Sequence, residues 1–330
     1  MITVSRRQAL VMGAAMSAAT FRARAATLTP LKYLFPAPDF LPAFAPFQLA
    51  KAKGYYTAAG LDVSFLIGKG GADVAKQVAV GNADLGGGIG DTALIVRPNG
   101  LKIRGVALLG GQALNQIVVR NASGIKSFAD LKGKKIGVIS FADTSFYTLQ
   151  GVMASVGLSK QDASIEAVGP AGVVQLMISG ALDAICAVPE WTVAIENAHV
   201  PVTTFEIGKA FPAMAQAIIA SDTIIAKQPK AVEAFVGATL KSLSDIIADP
   251  KAAAAAYCAA VVQHKGQEAL IETIMRRYIA LVYKTDPPQV LGQFDAKRLA
   301  AVDAFYVSHH IASAAVPVAD VYTNQFVKAG

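Results

Sequence analysis

Val78-Ala79-Val80-Gly81-Asn82-Ala83-Asp84-Leu85 and Met177-Ile178-Ser179-Gly180-Ala181-Leu182-Asp183-Ala184 share one layout. Each has an apolar helix end, a glycine, a small spacer, an aspartate and the start of an apolar strand. A glycine there supplies the left-handed residue that closes a helix. The recurrence fits two lobes built on one plan.

The pattern extends outward from both copies. Around the first, Leu31–Phe35, Asp62–Ile67, Ala83–Gly86 and Ile103–Leu109 read as strands, with helices over 42–54, 72–80 and 91–97. Around the second, Ile117–Arg120, Lys135–Ile139, Ile165–Val168 and Asp183–Val188 read as strands. Ser127-x-x-Asp130 is a capping pattern, and 145–156 and 171–179 are helical. Alternating strands and helices predict an α/β fold with largely parallel sheets. After Ala217 the chain turns helical. Val232, Phe235, Val236, Leu240, Leu243 and Ile247 form one apolar stripe, Leu270, Ile271, Ile274, Tyr278 and Val282 a second, and 296–306 a further helix. These stripes are core.

The N-terminus reads as an address. Ser5-Arg6-Arg7, the apolar stretch Ala9–Thr20 and Ala23-Arg24-Ala25 make a charged region, a short hydrophobic region and an A-x-A cleavage site. The stretch is too short to span a hydrocarbon core of roughly 30 Å, and it has no polar face for an amphipathic helix. The twin arginines resemble a Tat signal, although Ala9 stands where an aromatic is usual, so Sec export stays open. Residues 1–25 are thus expected to be removed, with cleavage near Ala25 and a periplasmic mature protein.

Charge and chemistry narrow the function. The chain carries 30 basic and 23 acidic residues, a net charge of +7. Arg6, Arg7, Arg22 and Arg24 all lie in the leader, and no basic stripe for nucleic acid survives their removal. Cys186 and Cys258 have no metal-ligand spacing and read as small buried thiols. Gly86-Gly87-Gly88-Ile89-Gly90 ends in Asp91 and fails the dinucleotide fingerprint. No phosphate loop, nucleophile elbow or H-E-x-x-H is present. His309-His310 suits an exposed helix end better than a metal. No catalytic residue, cofactor or metal is nominated.

Loops at the strand C-terminal ends remain, where ligands bind in open α/β sheets. They are Pro36–Phe40, Gly68–Ala72, Gly88–Thr92, Ser140–Phe146 and Val188–Trp191. Asp91, Thr144 and Ser145 can equally cap helices. Trp191, the single Trp, stands at a strand end as a cleft wall.

Ala50-Lys51-Ala52-Lys53-Gly54-Tyr55-Tyr56, Ala59-Gly60-Leu61-Asp62-Val63, Gly81-Asn82-Ala83-Asp84 and above all Ser123–Val138 resemble the periplasmic substrate-binding proteins of ABC importers, in the NMT1/THI5-like and aliphatic-sulfonate-binding group. Gly180–Ala184 and Tyr322–Phe326 extend the resemblance over nearly the whole mature chain. It implies a type II periplasmic binding protein, two α/β lobes joined by two crossover strands near Ile117–Arg120 and Gln216–Ala220. Lobe one would combine 27–118 and 219–330, and lobe two 119–218. The implied partners are a small-molecule ligand and a membrane permease with its ATPase subunits. A monomer is expected, and no nucleic acid.

The resemblance maps the ligand cleft onto Asp39, Phe40, Gly71, Asp91, Thr92, Asn115, Thr144, Ser145, Glu190 and Trp191. Asp39, Asp91 and Glu190 would repel an anion and accept bonds from N–H groups, while Phe40 and Trp191 can stack on a ring. The expectation is a small nitrogen-bearing or aromatic ligand. Sulfonate or nitrate binding, a sensory role, and a THI5-like pyrimidine-synthesis enzyme are the alternatives. The enzymes of that group carry a cysteine-rich motif and an active-site His, which two scattered cysteines do not supply.

Overall fold

The computed structural model describes residues 27–328, so the leader over 1–25 lies outside the described residues. The described strands are β1 (Thr29–Phe35), β2 (Leu61–Ile67), β3 (Leu85–Ile89), β4 (Ile103–Leu108), β5 (Gln116–Arg120), β6 (Lys135–Val138), β7 (Ser164–Ala167), β8 (Ala184–Ala187), β9 (Val202–Glu206) and β10 (Gln216–Ser221). They form two five-stranded sheets, ordered β2-β1-β3-β10-β4 and β7-β6-β8-β5-β9. In each, one strand (β10 or β5) runs antiparallel to its neighbours. The two sheets have the same topology.

The recurrent segments explain why. Gly81 and Gly180 take φ of 82° and 83°, the left-handed helix stop. Asp84 then brackets Lys32: its carboxylate accepts from the Lys32 N–H at 2.7 Å and its own N–H donates to the Lys32 carbonyl at 3.0 Å. Asp183 treats Lys135 identically, at 2.9 Å for both bonds. Each aspartate thereby sets a central strand beside its parallel neighbour, β3 beside β1 and β8 beside β6.

The glycine run in β3 is packing. A Cβ on Gly86 would strike Val74, and one on Gly87 would meet Pro36 and Tyr33. The helix Gly71–Ala79 therefore lies directly on the strand. On the other face, Tyr33 stacks on Phe47 at 4.6 Å and Tyr56 on Phe235 at 4.8 Å. Phe235 comes from the helix Pro229–Ala248, whose buried stripe runs through Val232, Val236, Leu243 and Ile246. Ile247, expected in that stripe, is 36% exposed. Ile246 takes the buried place beside Leu243 instead.

Both expected crossover strands belong wholly to one sheet. β5 pairs with β8 and β9, and β10 with β3 and β4. The chain passes between sheets just outside them, along 109–115 and back along 207–215. The two passes run side by side, with Leu109 N–H on the Gln216 carbonyl at 2.7 Å and Leu114 N–H on the Met214 carbonyl at 3.0 Å.

Candidate functional site

Where the two sheets face each other, the ends of β1, β3, β6 and β8 converge on one small cavity of about 50 Å³. Pro36, Ala37, Leu41, Ala43 and Phe44 contribute from the loop after β1, and Ile139, Asp143 and Thr144 from the loop after β6. Val188, Glu190 and Trp191 follow β8, while Leu114 and Asn115 belong to the outgoing pass and Gln216 opens β10. The volume holds a few waters at most, because the lobes touch directly.

Those contacts are specific. Ala72 N–H donates to the Ala142 carbonyl at 3.1 Å. Gly71 is pressed against Thr144, whose Cγ2 lies 2.5 Å from where a Cβ would stand, and its backbone N–H bonds the Asp143 carboxylate. Glu190, on the helix Pro189–Asn197, accepts from the Ala43 backbone and from the Tyr278 hydroxyl, both on the other lobe. Arg277 pairs with both carboxylate oxygens of Glu196 at 2.9 Å.

Asp91 occupies in lobe one the place that Glu190 occupies in lobe two, just past the central strand. It accepts from Tyr306 at 2.5 Å. Burial pushes Asp91 from its ordinary 3.8 up to about 6, against the pull of that bond and of the Arg298 charge. Burial pushes Glu190 from 4.5 up to about 7, against its bonds from Tyr278 and Ala43. Burial also raises Asp143, the cap of the helix Thr144–Ala154, which accepts from the Ser145 N–H at 2.8 Å.

Of the residues mapped from sequence, Asn115, Thr144, Glu190 and Trp191 line the cavity, and Gly71 closes its rim on Thr144. Ser145 is buried behind them. Thr92 turns its hydroxyl to the Ile89 N–H at 2.9 Å, and Asp91 turns to Tyr306. Asp39 and Phe40 stand outside the lining. Gln48 bonds Asp39, and Tyr257 and His264 hold the Phe40 carbonyl at 2.6 and 2.8 Å. Sequence reasoning passed over Asp143, Gln216 and Tyr278. Asp143 stood inside a quoted loop directly before two hydroxyls, a cap signal that could have found it. Tyr278 looked like one more position in a core stripe.

No Lys or Arg is among the residues lining this cavity. Glu190 Oε1 and Gln216 Oε1 are buried without a hydrogen-bond partner, as are Asp91 Oδ1 and the Ser145 hydroxyl. Unpartnered buried acceptors each cost about 1–3 kcal/mol, so the site favours a ligand that brings donors. Apolar walls and the Trp191 indole suit a flat ring.

A family described as NMT1/THI5 like matches residues 41–253. The riboflavin-binding protein RibY of Chloroflexus aurantiacus is 26% identical over 292 residues, covering 87% of this chain and 83% of that protein. A 4-amino-5-hydroxymethyl-2-methylpyrimidine phosphate synthase of Schizosaccharomyces pombe is 24% identical over 224 residues, 63% of each chain. Among solved structures, the alkanesulfonate-binding protein SsuA of Xanthomonas axonopodis pv. citri, bound to MOPS, superposes with a TM-score of 0.71 at 19% identity. That match covers 91% of this chain and all of the other, and it establishes the bilobal binding-protein fold.

Proposed function

This chain belongs to the NMT1/THI5 like family, and from that premise we propose that it is the solute-binding component of an ABC import system. It is exported, works in the periplasm, closes its two lobes on a small nitrogen-bearing ring compound and delivers it to a membrane permease driven by ATPase subunits. Lobe one takes the chain before the outgoing pass 109–115 and after the returning pass 207–215, and lobe two takes the chain between them. The protein binds without chemistry, a reading supported by the match to RibY, a protein named for binding riboflavin.

One observation carries the ligand class. The cleft is walled by Trp191 and aliphatic side chains and presents Glu190 and Gln216 acceptors with no cation beside them. An anion entering there meets carboxylates, whereas ring N–H or amino groups satisfy them. The RibY match, to a protein named for riboflavin, supports a heterocycle. The first helical turn after Asp143 would serve a sulfonate, but Asp143 itself occupies that position.

The test is native mass spectrometry of gently purified protein, followed by a thermal-shift panel of riboflavin, a 4-aminopyrimidine, nitrate and an alkanesulfonate. A ligand at a hundredfold excess over Kd adds about 2.7 kcal/mol of apparent stability. A heterocycle should shift the wild type and leave Glu190→Gln and Trp191→Ala unmoved. Tight nitrate or sulfonate binding with no heterocycle response overturns the ligand class. Turnover of a bound compound overturns the binding role.

A further inference from the structure

Arg298 lies in the helix Ala296–Ser308, outside the ligand cleft. Its guanidinium donates through Nη1 to the Gly111 carbonyl at 2.5 Å, through Nε to the Pro212 carbonyl at 3.3 Å, and through Nη2 to the Ala213 carbonyl. Gly111 is on the outgoing pass between the lobes, and Pro212 and Ala213 are on the returning pass. One rigid fork thus joins both passes, a geometry that a planar five-donor group supplies and a single ammonium does not.

The rest of the helix fixes this fork to lobe one. Tyr306, two turns on, bonds Asp91 at the end of β3. Phe305 stacks on Phe211 of the returning pass at 5.4 Å. The outgoing pass is gripped from its other side as well. Gly111 N–H donates to the Lys284 carbonyl at 3.1 Å, and a Cβ on Gly111 would collide with that same carbonyl. The cavity of about 640 Å³ that Gly111, Pro212, Lys284 and Arg298 border extends along the passes to Asn115, Ile207 and Gly208.

We propose that Arg298 is the positioning residue of the hinge. It fastens both passes to lobe one up to Gln112 and from Phe211, and so confines bending to 113–115 and 207–210. Two passes tied at one point swing as a unit, and the lobes return to a single closed arrangement. The inference does not depend on which solute is bound.

Trp191, the single tryptophan, is 5% exposed in the closed cleft and reports lobe closure directly. In full-length protein without added solute, Arg298→Met should raise acrylamide quenching of Trp191 roughly twofold and enlarge the radius of gyration in small-angle scattering, as the open population grows. Arg298→Lys, able to reach one pass, should fall between Met and wild type. A lower melting point with wild-type quenching and wild-type radius would reduce Arg298 to a stabilising residue and overturn the proposal. Should Arg298→Met fail to fold, Arg298→Lys decides alone: quenching above wild type supports the staple, and wild-type quenching overturns it.

Discussion

Asp91 and Glu190 stand at matching points of two lobes with one topology, and they use one device for different ends. Each is a buried carboxyl, lifted toward neutral pH by burial, accepting one tyrosine hydroxyl and leaving one oxygen without a partner. Tyr306 reaches Asp91 from a helix of the same lobe, so that bond survives any lobe movement. Tyr278 reaches Glu190 across the cleft, so that bond exists only when the lobes meet. A change at Asp91 should therefore register in folding, and a change at Glu190 in closure.

The largest separation comes from pH. A carboxyl whose folded value is raised favours the protonated form, so its contribution is complete below the ordinary value and fades as pH rises through the raised one. For Glu190 that window runs from 4.5 to about 7, and because Tyr278 of the other lobe helps to bury it, closure weakens across the window. Trp191 quenching should then increase from pH 5 to pH 8 as the lobes part. The Tyr257, Tyr278 and Tyr283 hydroxyls around Glu190 stay protonated throughout, since burial raises all three. Glu190→Gln should flatten the curve, leaving the remainder that Asp143 contributes. An unaltered curve in Glu190→Gln would take the latch away from Glu190.

Next in size is Asp91→Ala, which strands the buried Tyr306 hydroxyl and opens a small void. Urea unfolding should show a loss of about 2–3 kcal/mol with Trp191 quenching unchanged at constant pH. Increased quenching would mean that the two carboxyls do the same work after all.

This division of labour was only partly legible in the sequence. The Gly-x-x-Asp repeat disclosed the doubled plan because its chemistry is local: the glycine ends a helix and the aspartate ties the next strand, within a few residues. Glu190 and Trp191 reach the cavity lining because they follow a strand end directly. Asp39 and Phe40 follow a strand end too, yet Gln48, Tyr257 and His264, remote in sequence for the last two, draw that part of the loop away from the lining. The tyrosine partners were hidden for the same reason. Tyr278 and Tyr306 sit at helical spacing among apolar residues, and periodicity cannot tell a phenol packed in a core from one whose hydroxyl crosses a cleft. The passes were placed a few residues off because strand propensity marks β5 and β10, while the linking chain beside them is irregular.

The smallest expected effect tests the comparison at the surface. Arg277–Glu196 crosses the cleft, with side chains 30% and 40% exposed, and Lys53–Asp245 at 2.7 Å lies within lobe one, 30% and 33% exposed. Exposure is nearly matched, so solvent screens both, and exposed pairs contribute about 0.2–1 kcal/mol. Only the first should act on closure. Arg277→Gln should raise Trp191 quenching by less than about threefold at low ionic strength, and the difference should vanish near 1 M salt, where the screening length falls to about 3 Å. Lys53→Gln should leave quenching alone at every salt concentration and lower the unfolding free energy slightly. Equal responses from the two variants would mean that Trp191 senses overall charge, and quenching would no longer isolate the meeting of the lobes.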